Sequence, residues 1–187
     1  PLVYVGNVAE LRSLEIVDGM IEIGAAVTYA DAMDVISEHY PDFGELLRRL
    51  GSVQIRNLGT IGGNVANGSP VGDAPPALIA AGAELVLRKG DVRRTMPMED
   101  YFIDYGKQDR MPGEFVERIR LPVADPAVEF RAYKLSKRFD QDISAVCGAY
   151  ALRRDGEAVA DIRICYGGMA TTPRRATHAE GALRGRA

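Results

Sequence analysis

Between Ile55 and Pro76 the chain reads Ile-Arg-Asn-Leu-Gly-Thr-Ile-Gly-Gly-Asn-Val-Ala-Asn-Gly-Ser-Pro-Val-Gly-Asp-Ala-Pro-Pro. No other stretch concentrates glycine, asparagine, serine and proline so densely. That composition argues against a stable helix or a central strand, so a loop is expected. Glycines let a backbone pass close to a ligand and can turn several N–H groups toward one point, which suits an anion. Thr60, Asn64, Asn67 and Ser69 add hydrogen-bonding groups without bulk. Asp73 to Gly82 then reads as a helix, with Asp at the N-cap, Pro early and Gly at the end. The spacing matches neither G-x-x-x-x-G-K-[ST] nor G-x-G-x-x-G after a strand. On the residues alone, a solvent-facing connector stays open as an alternative to a ligand loop.

The composition narrows the function classes. A chain of 187 residues with 47% hydrophobic residues can build one large or two small domains around a core. A net charge of −3 carries no basic footprint for nucleic acid. No apolar run reaches the roughly 18 residues of a membrane span, and no signal peptide is expected, although position 1 is Pro. Cys147 and Cys165 lack a partner motif and His39 and His178 lie far apart. Zinc or iron–sulfur ligation within this chain is therefore not expected. Two sparse cysteines fit buried thiols in a reducing cytoplasm.

Periodicity and turn residues predict the elements. Leu2–Val5 reads as a short strand, and Leu14–Val17 with Met20–Ile23 as a hairpin across Asp18-Gly19. Thr28 opens a helix to about Glu38, and Pro41 opens another that ends near Gly51. Ala83–Arg88 and Val92–Met96 form a second hairpin, Met98–Ile103 a short helix or turn, and Glu114–Leu121 a strand stopped by Pro122. Strands follow at about Glu129–Leu135, Ala145–Arg153 and Ala160–Tyr166, and a helix runs from Pro173 through Ala182. The order lacks a βαβ rhythm, so the fold class is α+β. An antiparallel sheet with helices over residues 1–122 precedes a small three-stranded sheet plus helix over 123–187.

Arg56-Asn57-Leu58-Gly59-Thr60-Ile61-Gly62-Gly63-Asn64, followed by Ser69-Pro70-Val71-Gly72-Asp73, resembles the second flavin loop of the molybdenum hydroxylase flavoproteins. Tyr133-Lys-Leu-Ser-Lys-Arg-Phe-Asp-Gln-Asp-Ile-Ser-Ala-Val146 is similar to the xanthine dehydrogenase branch, in its bacterial small subunit. The resemblance covers the chain. It implies a piece of the family's FAD-binding unit without the earlier glycine loop and with a truncated C-terminal domain. By position it places Thr60, Ile61, Gly62, Gly63 and Asn64 along the FAD diphosphate. Asn67 joins them as a cofactor contact, and Leu50 and Ile55 match apolar positions that pack on the cofactor.

Other residues read two ways. Asp73 suits an N-cap, while the resemblance makes it a partner of ribityl hydroxyls or a ring N–H. Val116 suits a core strand, while the resemblance brings its backbone to a polar flavin edge. Lys134 suits a solvated edge strand, while the resemblance makes it a cofactor contact whose charge favours reduced flavin. Lys137, Arg138, Asp140 and Asp142 are either a charged loop or a gate for the electron acceptor.

The resemblance further implies purine oxidation at a molybdenum cofactor on a large partner subunit. Electrons then cross two [2Fe–2S] clusters, also outside this chain, reach FAD, and leave as hydride to NAD+. A hetero-oligomer in the cytoplasm is implied, with no general acid or base required here. The alternatives are another family member, oxidising carbon monoxide or an aldehyde, and a flavin-free interaction module.

Overall fold

A computed structural model describes residues 4–139 and 141–187. Leu2 and Val3 of the expected first strand, and Asp140 of the charged loop, lie outside the described residues; Tyr4 and Val5 are not in a strand. After one 3-10 turn (Ala9–Leu11), β1 (Leu14–Val17) and β2 (Met20–Gly24) form the expected hairpin. Asp18 and Gly19 both take positive φ, 51° and 75°, the two-residue turn that follows the twist of the strands. Thr28 Oγ1 accepts the Asp31 N–H at 3.1 Å and opens α1 (Tyr29–His39). Proline at the first position opens α2 (Pro41–Arg48).

The glycine-rich run departs from expectation. It is folded into α3 (Val53–Leu58) and α4 (Ile61–Asn67), ahead of α5 (Ala74–Ala80). Local capping and tertiary packing override poor helix propensity here. Ser52 Oγ accepts from Ile55 N, and Thr60 Oγ1 from Gly63 N. Ile61 and Val65, one turn apart, are completely buried. Gly62 is needed for close approach: a Cβ there would lie 2.5 Å from Ala25 Cα.

The remaining elements are β3 (Glu84–Lys89), β4 (Val92–Pro97), α6 (Met98–Tyr101), β5 (Phe102–Asp104), β6 (Lys107–Gln108), β7 (Phe115–Pro122), β8 (Val128–Leu135), β9 (Val146–Asp155), β10 (Ala158–Gly167), β11 (Arg174–Arg175) and α7 (Thr177–Leu183). The architecture is α+β, as expected. One antiparallel sheet has the order β1-β2-β7-β3-β4, a second β11-β10-β9-β8, and β5 pairs with β6. The second sheet therefore has four strands, not three. Arg174–Arg175 pair with Tyr166 and Cys165, so the expected helix from Pro173 begins only at Thr177. The β5–β6 hairpin had no clear sequence signal.

One hydrophobic core runs through both large sheets. Ile21, Ile23, Leu85, Leu87, Ile119 and Leu121 come from the five-stranded sheet, and Cys147, Ala149 and Cys165 from the four-stranded one. Every residue of α5 is buried. The helix packs on β9 and β10 and touches α2, α4 and α6. Leu78 and Ile79 alone stabilise this centre by roughly 1.5–3 kcal/mol each.

Candidate functional site

The site is assembled around the turn that leads into α5. Asp73 holds the N-cap position but does not cap the helix. Its side chain turns instead to the four-stranded sheet. Oδ2 accepts from Lys134 Nζ at 2.6 Å, and Oδ1 accepts a short hydrogen bond from Ser144 Oγ. The Lys134 and Asp73 side chains are only 3% and 6% exposed. Along β8, burial alternates residue by residue, which aims Lys134 inward beside Phe130 and Ala132 although β8 is an edge strand. The expectation of a solvated edge lysine is thus corrected. Its charge is also compensated, because ammonium and carboxylate form a nearly neutral pair.

Cys147 Sγ donates to the Asp73 carbonyl at 3.8 Å, and the Asp73 charge reaches Tyr29. Burial, with the Asp73 charge nearby, holds the Tyr29 phenol well above its ordinary range. Burial and then Asp73 push the Cys147 thiol up to about 12, so it stays protonated at neutral pH. Asn64 faces the 69–72 turn, since a Cβ on Gly72 would lie 3.2 Å from Asn64 Oδ1. Among the described residues, Tyr29 Oη and Asn64 Oδ1 are buried polar atoms with no hydrogen-bond partner, as are Arg49 Nε and Tyr101 Oη. Such groups cost free energy unless something else satisfies them. Lys134 carries three N–H donors, and Asp73 is its one partner among the described residues. The unpaired hydroxyl, amide oxygen and spare ammonium donors are all shut off from the surface, so a ligand rich in hydroxyls and polar ring edges would have to displace the groups that cover them to use them.

The helix start at Thr60 offers less to an anion than its glycines suggest. Gly63 N is already bound by Thr60 Oγ1 at 2.9 Å, and Ile61 N by Val27 O at 3.3 Å. Gly63 is exposed and Gly62 buried. Thr60 also lines a cleft of 420 Å³ with Asn57, Leu58, Thr28 and Arg12.

The other expected site residues spread around this centre. Leu50 is half-buried against the core, and Ile55 is exposed on α3. Asn67 is exposed at the end of α4. Val116 is buried on β7, which α4 packs against. The structure therefore joins Asp73 directly to Lys134, puts Asn64 beside the 69–72 turn, and leaves Ile55 and Asn67 on the surface.

Three residues escaped the sequence reading. Ser144 lay within the quoted Tyr133–Val146 segment but was not singled out. Tyr29 follows a helix cap and carries no motif of its own. Arg56, inside the glycine-run motif, donates from Nη1 to the Leu50 and Gly51 carbonyls, both at 3.0 Å, and so fixes the preceding turn.

Residues 1–124 match the sequence family described as the FAD binding domain in molybdopterin dehydrogenase. Residues 131–187 match the CO dehydrogenase flavoprotein C-terminal domain. The chain is 32% identical over 197 residues to a xanthine dehydrogenase of Emericella nidulans, covering 98% of the chain and 14% of that protein. It is 32% identical to the glyceraldehyde dehydrogenase medium chain of Sulfolobus acidocaldarius, over 86% of the chain and 57% of that protein. Among solved structures, a carbon monoxide dehydrogenase from Hydrogenophaga pseudoflava superposes with a TM-score of 0.89 at 31% identity. That match covers 96% of the chain and 63% of the other. The chain thus spans only part of each of these relatives. With a match over the first 124 residues and the same fold in a solved relative, the chain belongs to the FAD-binding domain family of the molybdopterin dehydrogenases, the molybdenum hydroxylase flavoproteins.

Proposed function

We propose that this chain is the flavin-holding part of a xanthine dehydrogenase-type molybdenum hydroxylase and that NAD+ is its electron acceptor. In this reading residues 1–122 and 123–187 are two units that share the cofactor. The molybdenum cofactor on a large subunit, and two [2Fe–2S] clusters, belong to other parts of a cytoplasmic hetero-oligomeric complex that oxidises a purine. When bound, FAD supplies the two-electron chemistry that ends in hydride transfer.

The observation that carries the reading is the buried Asp73–Lys134 pair, with unpaired Tyr29 within reach of the Asp73 charge and unpaired Asn64 against the adjoining 69–72 turn. Lys134 would donate to a cofactor oxygen with its spare N–H groups, and Tyr29 and Asn64 would bind hydroxyls or ring edges. Thr60 to Asn64 would hold the diphosphate, with Asn67, Leu50, Ile55 and Val116 as outer contacts. No residue has to move a proton for hydride to leave the flavin. The 32% identity to a xanthine dehydrogenase over nearly the whole chain supports the purine branch. The carbon monoxide dehydrogenase likeness, and the equal 32% identity to a glyceraldehyde dehydrogenase medium chain over less of the chain, support as the second reading a flavin unit of a carbon monoxide- or aldehyde-oxidising branch.

Gly63→Val in the complete enzyme tests the reading. A Cβ at Gly63 falls 2.7 Å from Thr60 Oγ1, so the variant disturbs the cap and crowds the diphosphate path. The backbone there is helical, so the objection to Val is this contact rather than an unusual φ. The expected result is lost FAD by release fluorimetry, retained reduction of a dye that takes electrons upstream, and lost NAD+ reduction. Retained FAD with NAD+ reduction would overturn the placement of this stretch.

A further inference from the structure

We infer that Ser144 is a positioning residue of the flavin site, acting through Asp73. The inference rests on the flavin reading above. Asp73 uses both carboxylate oxygens, one for Lys134 and one for Ser144. The two donors stand at opposite ends of a single connection. Lys134 is the penultimate residue of β8, and Ser144 lies two residues before β9. Ala145 N donates to Leu135 O at 2.8 Å, and Leu135 pairs with Val146, so the base of the 136–145 connection is closed by backbone hydrogen bonds. Asp73 spans that closed base from α5.

Ser144 is 3% exposed. A hydroxyl at this depth is costly unless it donates, and Asp73 takes that donation. A carboxylate held at both oxygens cannot rotate, so the line from Oδ2 to Nζ is fixed. The spare Lys134 donors are then fixed as well. Near-complete burial of Asp73 and Lys134 makes this a low-dielectric pair, in which one lost donor is poorly replaced by water.

The consequence is electronic as well as steric. Without the Ser144 hydroxyl, Asp73 retains one side-chain donor, and more of its negative charge is uncompensated beside the site. An electron-rich reduced flavin is then less favoured. Ser144→Ala should move the flavin midpoint potential to lower values and weaken FAD binding on the order of tenfold, the loss of one charge-assisted hydrogen bond. Ser144→Thr keeps the hydroxyl and should restore both.

The test is a spectroelectrochemical titration of the flavin, with FAD dissociation measured alongside, on the complete holoenzyme carrying Ser144→Ala, Ser144→Thr, Ser144→Cys or Lys134→Met. A lower potential in the Ala variant and rescue by Thr support the inference. A merely structural serine would lower the melting temperature and leave the potential of the remaining bound flavin at the wild-type value, which would overturn it. If the Ala variant does not fold, the Cys variant decides, because its thiol is a weak donor. An intermediate potential supports the inference, and a wild-type potential sinks it. Lys134→Met separates the two layers. Unchanged potential and affinity there would remove the placement of the flavin at Lys134, whereas a changed Lys134→Met beside an unchanged Ser144→Ala would remove only the role of Ser144.

Discussion

Two polar seams, one buried and one partly exposed, tie the four-stranded sheet to the rest of the molecule, and they are built on different principles. The first is Asp73 with Lys134 and Ser144. The second begins at Glu99 on α6, which accepts from Arg163 on β10 and from Arg175 on β11 at 2.7 Å. It continues to Glu180 on α7, which takes Arg175 through both carboxylate oxygens, at 3.0 and 2.7 Å, and the Ile164 N–H at 2.8 Å. In the second seam Arg175 meets Glu180 in a two-point contact and each carboxylate takes more than one donor, although the phenol of Tyr101, also on α6, is buried without a partner among the described residues. The first seam has one flexible ammonium with unused donors and unpaired neighbours. The arginine–carboxylate seam suits a staple, and the unused ammonium donors of the first seam are what the proposed flavin site would draw on.

The largest effect that separates the seams is expected at Lys134→Met. It strands a buried carboxylate and should cost roughly 3–5 kcal/mol of stability, read by urea unfolding, and weaken FAD binding. The double variant Asp73→Asn, Lys134→Met should recover part of the stability and none of the FAD affinity. Equal loss in the double and single variants would show that the pair is not the source.

Glu180→Gln should cost less, about 1.5–3 kcal/mol for weakened charge-assisted hydrogen bonds, because Arg175 keeps Glu99. FAD content should stay at the wild-type level. A flavin-depleted Glu180→Gln variant would erase the distinction between staple and site.

The second seam also sets an acid limit. Burial disfavours the charged form of Glu180, yet the Arg175 guanidinium and the Ile164 N–H bring its pKa below the ordinary 4.5. A carboxylate depressed on folding contributes its full stability above pH 4.5 and loses it as pH falls through the folded value. Unfolding midpoints measured from pH 6 downward should therefore decline below about pH 4.5 in the wild type, and decline less in Glu180→Gln. Parallel curves would place the acid sensitivity elsewhere.

Arg184→Ala gives the smallest expected change. Arg184 is a partly exposed second partner of Glu180 at 3.7 Å and also pairs with Asp161. Its loss should cost about 0–1 kcal/mol without touching flavin content. A loss comparable to Glu180→Gln would mean that the helix end, not Arg175, holds the seam.

Much of the fold is legible in local chemistry. The Asp18-Gly19 turn, the Thr28 cap, the Pro41 start and the hairpin across Gly90 all follow from rules acting within a few residues. The glycine-run motif also marks the neighbourhood of the site. Its helicity is not legible, because it depends on Ile61 and Val65 finding a core and on Gly62 fitting against Ala25. A bulge at Glu117 is equally hidden: the pairing of β7 with β3 shifts register between Val86 and Leu87, and Arg88 and Arg93 converge on the fully buried Glu117.

The sequence by itself determined the α+β class, most strand and helix positions, and the likeness to a flavin-binding family, because each depends on periodicity, caps or a contiguous motif. Only the tertiary structure decided what Asp73 does. As a local residue it is a helix cap; in the fold it leaves its own helix for a lysine 61 positions away and a serine 71 positions away. Sheet packing around α5 brings those three side chains into one water-poor space. There an unpaired carboxylate costs more free energy than an uncapped helix N-terminus, and that difference sets the geometry of the site.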